Sequence, residues 1–140
     1  MSKQHDQKTN AMRVLDAAQI EYVARVFDCP EAISGVAVAQ QLSLDVNQVF
    51  KTLVTCGKSG EHYVFMIPVA EELDLKKAAQ VVGEKSIAMI KSRDLLELTG
   101  YIHGGCSPIG MKKSFVTTVE ETSILFGTII FSGGRIGTQI

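Results

Sequence analysis

The stretch VFKTLVTCGKSGEHYVFMIPV, residues 49–69, contains two apolar segments separated by the short polar sequence GKSGE. Both segments, VFKTLVTC and HYVFMIPV, are rich in the β-branched and aromatic residues that favour strands. GKSGE has the length and the glycine expected of a hairpin connection. Because each segment is almost continuously apolar, the stretch predicts two neighbouring strands that are buried on both faces.

Helices and further strands are predicted on both sides of this hairpin. No linker, repeat or low-complexity segment divides the chain, so we expect one α/β domain around a mixed sheet. A polar tail is expected over residues 1–9, and the domain over residues 10–140. The other predicted elements are helices over 11–20, 34–44, 74–83 and 93–99, and strands over 21–27, 86–90, 113–121 and 128–140.

Local capping signals predict where several helices begin and end. Asp74 can start the helix that Gly83 ends, and Ser92 can cap the helix that Gly100 ends. Asp45, with Gln48 three residues later, is typical of a capping box.

Composition and charge limit the classes of function. With 140 residues, of which 46% are hydrophobic, the chain can bury a substantial core. Its net charge of −1 provides no general basic field, so nucleic acid would need a local patch or a partner. The polar start MSKQHDQKTN, three cysteines without CxxC spacing and the lack of a membrane-length apolar run favour a reducing cytosol.

Lys51 is out of place in an apolar strand. Strand alternation puts it on one face with Leu53 and Thr55, and puts Thr52 on the other face. An inward-pointing ammonium must be paired or must line a cavity, because burial of an isolated charge is costly. Alternatively, Lys51 lies at the end of the strand and extends its ammonium into water.

Two glycine-rich loops follow the predicted strands and helices. YIHGGCSPIGMKK, residues 101–113, allows backbone N–H groups near Gly104 and Gly105 to approach a ligand, where they could stabilise an oxyanion. FSGGRIG, residues 131–137, adds the Ser132 hydroxyl and the Arg135 guanidinium, which suits a phosphate. The alternative is that each loop is an ordinary tight turn without a ligand.

Cys106 supports a competing hypothesis. With His103 three residues before it, its thiol could form a nucleophile–base pair. The same two residues could be half of a metal site, but two further ligands at suitable spacing are missing, so we expect no metal.

Four segments together resemble the YbaK/EbsC family of aminoacyl-tRNA deacylases. The resemblance runs from about Ile20 to Ile140, and its fold also occurs as the editing domain inserted in bacterial prolyl-tRNA synthetases. It implies a twisted, partly barrel-like mixed sheet flanked by helices. The segments are VFKTLV (49–54), PVAEELDLKKAAQVVG (68–83), TGYIHGGCSPIGMKK (99–113) and FSGGRIG (131–137).

The resemblance implies hydrolysis, in trans, of amino acids wrongly attached to tRNA, above all cysteine on proline tRNA. Prolyl-tRNA synthetase and aminoacyl-tRNA are the implied partners, and no cofactor is expected. In the cysteine-specific branch the thiol of the substrate attacks its own ester, which makes Cys106 a neighbour of the substrate and not the catalyst. The implied catalytic residues are Lys51, Gly104 and Ser132, and the implied substrate-binding residues are Phe27, Gly105, Cys106, Ser107, Pro108, Gly133 and Arg135.

Several positions depart from the family pattern. Phe27 replaces a tyrosine, the following segment DCPEAISG is about two residues shorter, Ile136 replaces a basic residue, and Gln139 stands at an acidic position. These departures affect the expected amino-acid specificity, and they leave open a module that binds an aminoacyl or nucleotide ligand without turnover. Relatives continue through the final strand into a last helix, which the sequence up to Ile140 does not include.

Overall fold

A computed structural model describes residues 7–140 of the chain. The first six residues of the predicted tail lie outside this range. The mixed α/β class is confirmed. The helices are α1 (Asn10–Ala17), α2 (Gly35–Gln41), α3 (Leu75–Val82) and α4 (Ser92–Thr99), with a 3₁₀ helix over Glu121–Leu125. The strands are β1 (Arg25–Val26), β2 (Phe50–Gly57), β3 (His62–Pro68), β4 (Ile87–Met89), β5 (Val116–Val119), β6 (Ser132–Arg135) and β7 (Thr138–Gln139).

The strands form two sheets. The larger has the order β4-β2-β3-β5, in which β3 and β5 are parallel, and the smaller has the antiparallel order β1-β7-β6. A parallel bridge between Val49 and Ile130 joins them. The strand pairing is therefore mixed, as predicted. The strands form two separate sheets and not a closed barrel, because the chain beyond Ile130 moves away from β2 after this single bridge.

The predicted hairpin is confirmed and forms the centre of the larger sheet. β2 and β3 pair continuously, from Phe50 opposite Pro68 to Cys56 opposite His62. Lys51 therefore lies opposite Ile67, and Thr52 lies opposite Met66. β4 pairs only with the end of β2, through residues 55–57. It is an edge strand with Ala88 and Met89 exposed, which corrects the prediction that residues 86–90 are buried.

Different segments cover the two faces of the larger sheet. On one face, the α4 residue Leu95 packs with Val54 and Val64, and Cys106, Met111 and Phe115 pack against this cluster. At the start of β2, Ala39 of α2 packs with Val49, Val69 and Ile130, which places α2 over the bridge between the sheets. Helix α2 therefore covers the bridge between the sheets, and the loop after α4 covers the middle of β2.

The capping signals had mixed outcomes. Asp74 accepts a hydrogen bond from the Lys77 N–H at 3.1 Å, and Gly83 and Gly100 end their helices in left-handed conformations, as predicted. Ser92 is instead the first residue of α4, which has no side-chain cap.

Two other local predictions were wrong. Asp45 closes a turn onto Asn47 and Gln48, because β2 begins too soon afterwards for a helix to form. Of the strand predicted over 21–27, only β1 forms, since β7 offers it two pairing residues.

Candidate active site

The two glycine-rich loops pack against each other, backbone to backbone. A Cβ placed on Gly105 would lie 2.9 Å from the Arg135 Cα and 2.9 Å from the Ile136 nitrogen. Real Cβ atoms do not approach backbone this closely, so only glycine permits the contact. We call the region formed by residues 104–108 and 132–137 the glycine-loop junction.

Gly104 is an exposed residue of this junction. It adopts φ +86°, and a Cβ there would lie 2.6 Å from the Ala32 Cβ. Gly105 donates its N–H to the Ile102 carbonyl at 2.9 Å. Within residues 7–140 the Gly104 N–H donates no hydrogen bond, and Gly104 is exposed. This amide is therefore available to a ligand.

The bridge between the sheets brings the Lys51 and Ser132 strands to the same place. Phe50 donates to the Ile130 carbonyl at 2.7 Å, and Ile130 donates to the Gln48 carbonyl at 3.0 Å. Lys51 and Ser132 each follow the bridged residues Val49 and Ile130 by two positions. Both chains run in the same direction through this single bridge, so the segments that carry Lys51 and Ser132 leave it at the same end before they separate.

Lys51 is half-buried and is free of protein partners in the described range. Its ammonium makes no hydrogen bond or ion pair with residues 7–140. Its side chain shares a face with Ile67, its pairing partner. No hydrogen bond or ion pair joins Lys51 to the Gly104 loop. The structure therefore does not link these two predicted catalytic residues directly.

Thr52 is a candidate that sequence analysis did not identify. Its Oγ1 is buried and has no hydrogen-bond partner among the described residues. By alternation Thr52 shares a face with Val54, and Cys106 of the glycine loop packs against the cluster on that face. A buried hydroxyl without a partner costs free energy, and such groups often mark functional positions. The signal in the sequence was weak, because threonine is common in strands.

Ser132 and Arg135 are tied into the second loop. Ser132 Oγ accepts a hydrogen bond from the Gly134 N–H at 3.2 Å. Arg135 donates from Nε to Thr138 Oγ1 at 3.2 Å and from Nη2 to the Gln7 carbonyl at 2.5 Å. A guanidinium has five donors, so Arg135 keeps N–H groups for an anion.

Cys106 does not have the environment of a nucleophile. Its side chain packs against the apolar cluster beneath the loop. Burial raises the pKa of its thiol to about 11, so the reactive thiolate is scarce at neutral pH. His103 is exposed and forms no hydrogen bond with Cys106. The structure therefore disfavours the nucleophile–base pair.

The remaining predicted site residues lie at the junction but differ in exposure. Ser107 is completely buried, and its Oγ accepts from the Ile109 N–H at 3.4 Å, so its side chain offers no surface to a ligand. Gly133 is also buried, whereas Pro108 is half-buried. Phe27 is half-buried and donates its N–H to the Gly137 carbonyl at 2.9 Å, which attaches it to the second loop.

Tyr101 contacts both glycine-rich loops. Its role was not predicted from the sequence. Its hydroxyl donates to the Ile109 carbonyl at 2.6 Å. A Cβ on Gly134 would lie 2.9 Å from the Tyr101 ring. Burial raises the pKa of this phenol, which keeps its proton for the hydrogen bond.

Two sizeable concave surfaces lie elsewhere. Cavities of about 510 Å³ and about 1000 Å³ are lined by none of the predicted site residues. Over residues 7–140 no helix is long and apolar enough to cross a membrane. The same residues contain no group of three histidine, cysteine or acidic side chains arranged to hold a metal ion.

Comparisons with known proteins agree with this architecture. The family described as "Aminoacyl-tRNA editing domain" matches residues 29–140. The chain is 44% identical over 139 residues to the Enterococcus faecalis protein named "Putative Cys-tRNA(Pro)/Cys-tRNA(Cys) deacylase EbsC", covering 99% of this chain and 85% of that one. It is 28% identical over 97 residues to a "Proline--tRNA ligase" of Thermosipho melanesiensis, covering 69% of this chain and 17% of the ligase.

A solved structure shares the fold. The crystal structure described as "a putative trans-editing enzyme for prolyl tRNA synthetase" superimposes with a TM-score of 0.78 at 25% identity. The match covers 95% of this chain and 85% of that chain.

Proposed function

The chain belongs to the family of aminoacyl-tRNA editing domains, and we propose that it hydrolyses the ester of mischarged aminoacyl-tRNA, with cysteinyl-tRNA(Pro) as its main substrate. Membership of this family, which the sequence resemblance predicted, supports deacylation as the general activity. The 44% identity to a protein named for cysteinyl-tRNA supports the choice of amino acid.

The observation that carries the catalytic proposal is the N–H of Gly104, an exposed residue, which donates no hydrogen bond within residues 7–140. It lies at the junction of the two glycine loops, the second of which contains Ser132. Hydrolysis of an ester develops negative charge on the carbonyl oxygen, and a fixed backbone donor aimed at that oxygen lowers the barrier. Gly104 is exposed, so the carbonyl oxygen of a bound ester can approach its N–H.

The attacking group is supplied by the substrate. The cysteine thiol attacks its own ester carbonyl, a C–S bond forms, and the 3′-oxygen of the tRNA leaves with the thiol proton. Water then opens the cyclic thioester and releases cysteine. This route requires no thiolate from the protein, in keeping with the raised pKa of Cys106.

Two cations hold the tRNA end: Arg135 of the junction, and Lys51 of β2 next to the bridge between the sheets. Lys51 has no protein partner among residues 7–140, so its ammonium can pair with a phosphate or a ribose oxygen of the terminal adenosine. Arg135 keeps unused donors for the same purpose. The net charge of −1 fits an enzyme that relies on prolyl-tRNA synthetase to hold most of the tRNA.

A separate editing site has a physical rationale. Cysteine and proline are similar in volume, and a pocket discriminates small apolar differences by only ~1–3 kcal/mol. A synthetase therefore charges some cysteine onto proline tRNA, and a second site that recognises cysteine must remove it.

The test is deacylation by the purified chain. Cysteinyl-tRNA(Pro), alanyl-tRNA(Pro) and prolyl-tRNA(Pro) are each incubated with the protein, and loss of the ester is followed with and without prolyl-tRNA synthetase. We expect the cysteinyl ester to be cleaved fastest and the prolyl ester to survive. Rates equal to those in buffer would leave a binding module as the better interpretation, and faster cleavage of the alanyl ester would overturn the choice of substrate.

A further inference from the structure

The cavity of about 510 Å³ is an apolar groove that no residue of the glycine-loop junction lines. Its floor is formed by buried residues of β3, among them Phe65 and Ile67. One wall is α3, through Ala78 and Val81, and the other is the end of the 3₁₀ helix at Leu125. We call this surface the α3 groove.

Exposed apolar side chains border the α3 groove. Val81 is 64% exposed and Leu125 is 75% exposed, and the adjacent Ile124 is 83% exposed. Solvent-facing aliphatic side chains gathered around one concave surface are typical of an interaction site. Their burial against a partner would release water from a continuous apolar surface.

The rim of the α3 groove is acidic. Glu71, Glu72, Asp74 and Glu120 line it, and Lys77 is the sole basic residue among the lining side chains. Glu71 and Glu72 are exposed and their carboxylates form no hydrogen bond or ion pair in the described range. Such a rim repels the phosphates of RNA and the anionic headgroups of membranes, and it attracts lysine and arginine.

We propose that the α3 groove binds a basic amphipathic helix of a protein partner. Its apolar face enters the groove between α3 and the 3₁₀ helix, and its flanking lysine or arginine residues pair with Glu71 and Glu72. Helices commonly bind in this way, through apolar residues spaced three and four apart. None of the predicted site residues lines the groove, although its floor residue Ile67 lies opposite Lys51 in the sheet.

The test uses two synthetic amphipathic peptides of about 18 residues that share a leucine face and carry either lysine or glutamate on the other face. Binding is measured by fluorescence anisotropy, and the contact surface is mapped by backbone amide shifts. We expect the lysine peptide to bind at least about tenfold more tightly, with salt weakening it, and to shift amides of α3 and the 3₁₀ helix.

Charge reversal supplies the matched control. Glu71→Lys combined with Glu72→Lys should weaken the lysine peptide about tenfold, whereas Glu61→Lys combined with Glu97→Lys, with the same change in net charge, should have an effect of less than about threefold. Equal binding of both peptides, equal effects of both double variants, shifts outside the groove, or self-association through it would overturn the proposal. Deacylation should be unchanged in both double variants, so failure here is separable from failure of the proposed function.

Discussion

At the scale of single residues, Lys51 combines a half-buried position with an ammonium that has no partner in the described range. Replacing Lys51 therefore breaks no hydrogen bond or ion pair of its side chain within the described range. The charge is therefore available for the substrate, and the cost of removing it should appear in catalysis and not in folding.

We predict that Lys51→Ala slows deacylation of cysteinyl-tRNA(Pro) by ~10², because a terminal adenosine that is no longer held leaves the ester misplaced. The thermal midpoint should change little. Lys58→Ala, an exposed lysine in the hairpin loop, is the control and should retain full activity. A Lys51→Ala protein with the wild-type rate would exclude the assigned role.

Removing the Thr52 hydroxyl should raise stability and lower activity. Its buried hydroxyl has no partner in the structure, and valine has the same shape without the hydroxyl. We predict that Thr52→Val raises the free energy of unfolding by about 1 kcal/mol, because an unsatisfied polar atom is removed. If the hydroxyl binds the substrate, deacylation should fall, and Thr52→Ser should restore it. Denaturant titration and the deacylation assay measure the two effects, and full activity in Thr52→Val would show that the hydroxyl plays no part.

The thiol of Cys106 should be unreactive near neutral pH. With its pKa raised to about 11, only about one thiol in several thousand is ionised at pH 7.5. In a Cys29→Ser, Cys56→Ser background, we predict slow alkylation by iodoacetamide that accelerates about tenfold per pH unit up to about pH 11. Mass spectrometry follows the reaction, and Cys106→Ala should remain an active deacylase. Rapid alkylation at pH 7.5 accompanied by inactivation would favour the nucleophile hypothesis instead.

At the scale of structural elements, the loop that carries Gly104 is held against the segment before α2. The close approach of Ala32 means that Gly104→Ala alone both clashes and forces alanine into a left-handed conformation. That variant should therefore lose stability together with activity, and it cannot by itself reveal the role of the amide.

A paired substitution separates the two effects. Ala32→Gly removes the Cβ that lies 2.6 Å from the position of the new side chain. We predict that Gly104→Ala with Ala32→Gly recovers most of the thermal stability, apart from ~1–2 kcal/mol of backbone strain. Deacylation should stay low, because the strained backbone of alanine at position 104 moves the N–H that the oxyanion needs, and small misplacements slow catalysis strongly. Recovery of activity in step with stability would assign Gly104 a purely structural role, and Ala32→Gly alone serves as the control.

Sequence patterns predicted these elements where the signal is local. The ends of α3 were predictable because Asp74 and Gly83 act on their own helix. β1 was not, because its length depends on pairing with β7 at the far end of the chain. For the site, the spacing of the glycines indicated both loops. The contact between Gly105 and Arg135 was not predictable, because it joins distant parts of the chain. The lack of a hydrogen-bond partner for Thr52 was not predictable either, because it depends on every neighbour that packs around the side chain.

At the scale of the whole molecule, the joint between the two sheets positions the site. Ile130 is 4% exposed, and it packs with Val49 and Val69 where the sheets meet. The strand ends that carry Lys51 and Ser132 begin from this joint. A disturbance of the joint should therefore reach both residues, although neither is altered.

We predict that Ile130→Ala lowers the free energy of unfolding by ~2–5 kcal/mol and also reduces deacylation at temperatures where the protein remains folded. Ile87→Ala, at a residue that is 6% exposed in the edge strand β4, is the control. It should lose comparable stability but keep its activity. Equal activity of the two folded variants would show that the joint does not position the site.

The same joint has a consequence for the order in which the molecule acquires its structure. The β2–β3 hairpin closes a short loop, whereas Val49 and Ile130 are roughly 80 residues apart in the chain, and contacts between distant segments form slowly. During synthesis on the ribosome the hairpin can pair early, but Ile130, its partner for the joint, is made only later. The nascent chain therefore has no complete site until β6 and β7 have been made.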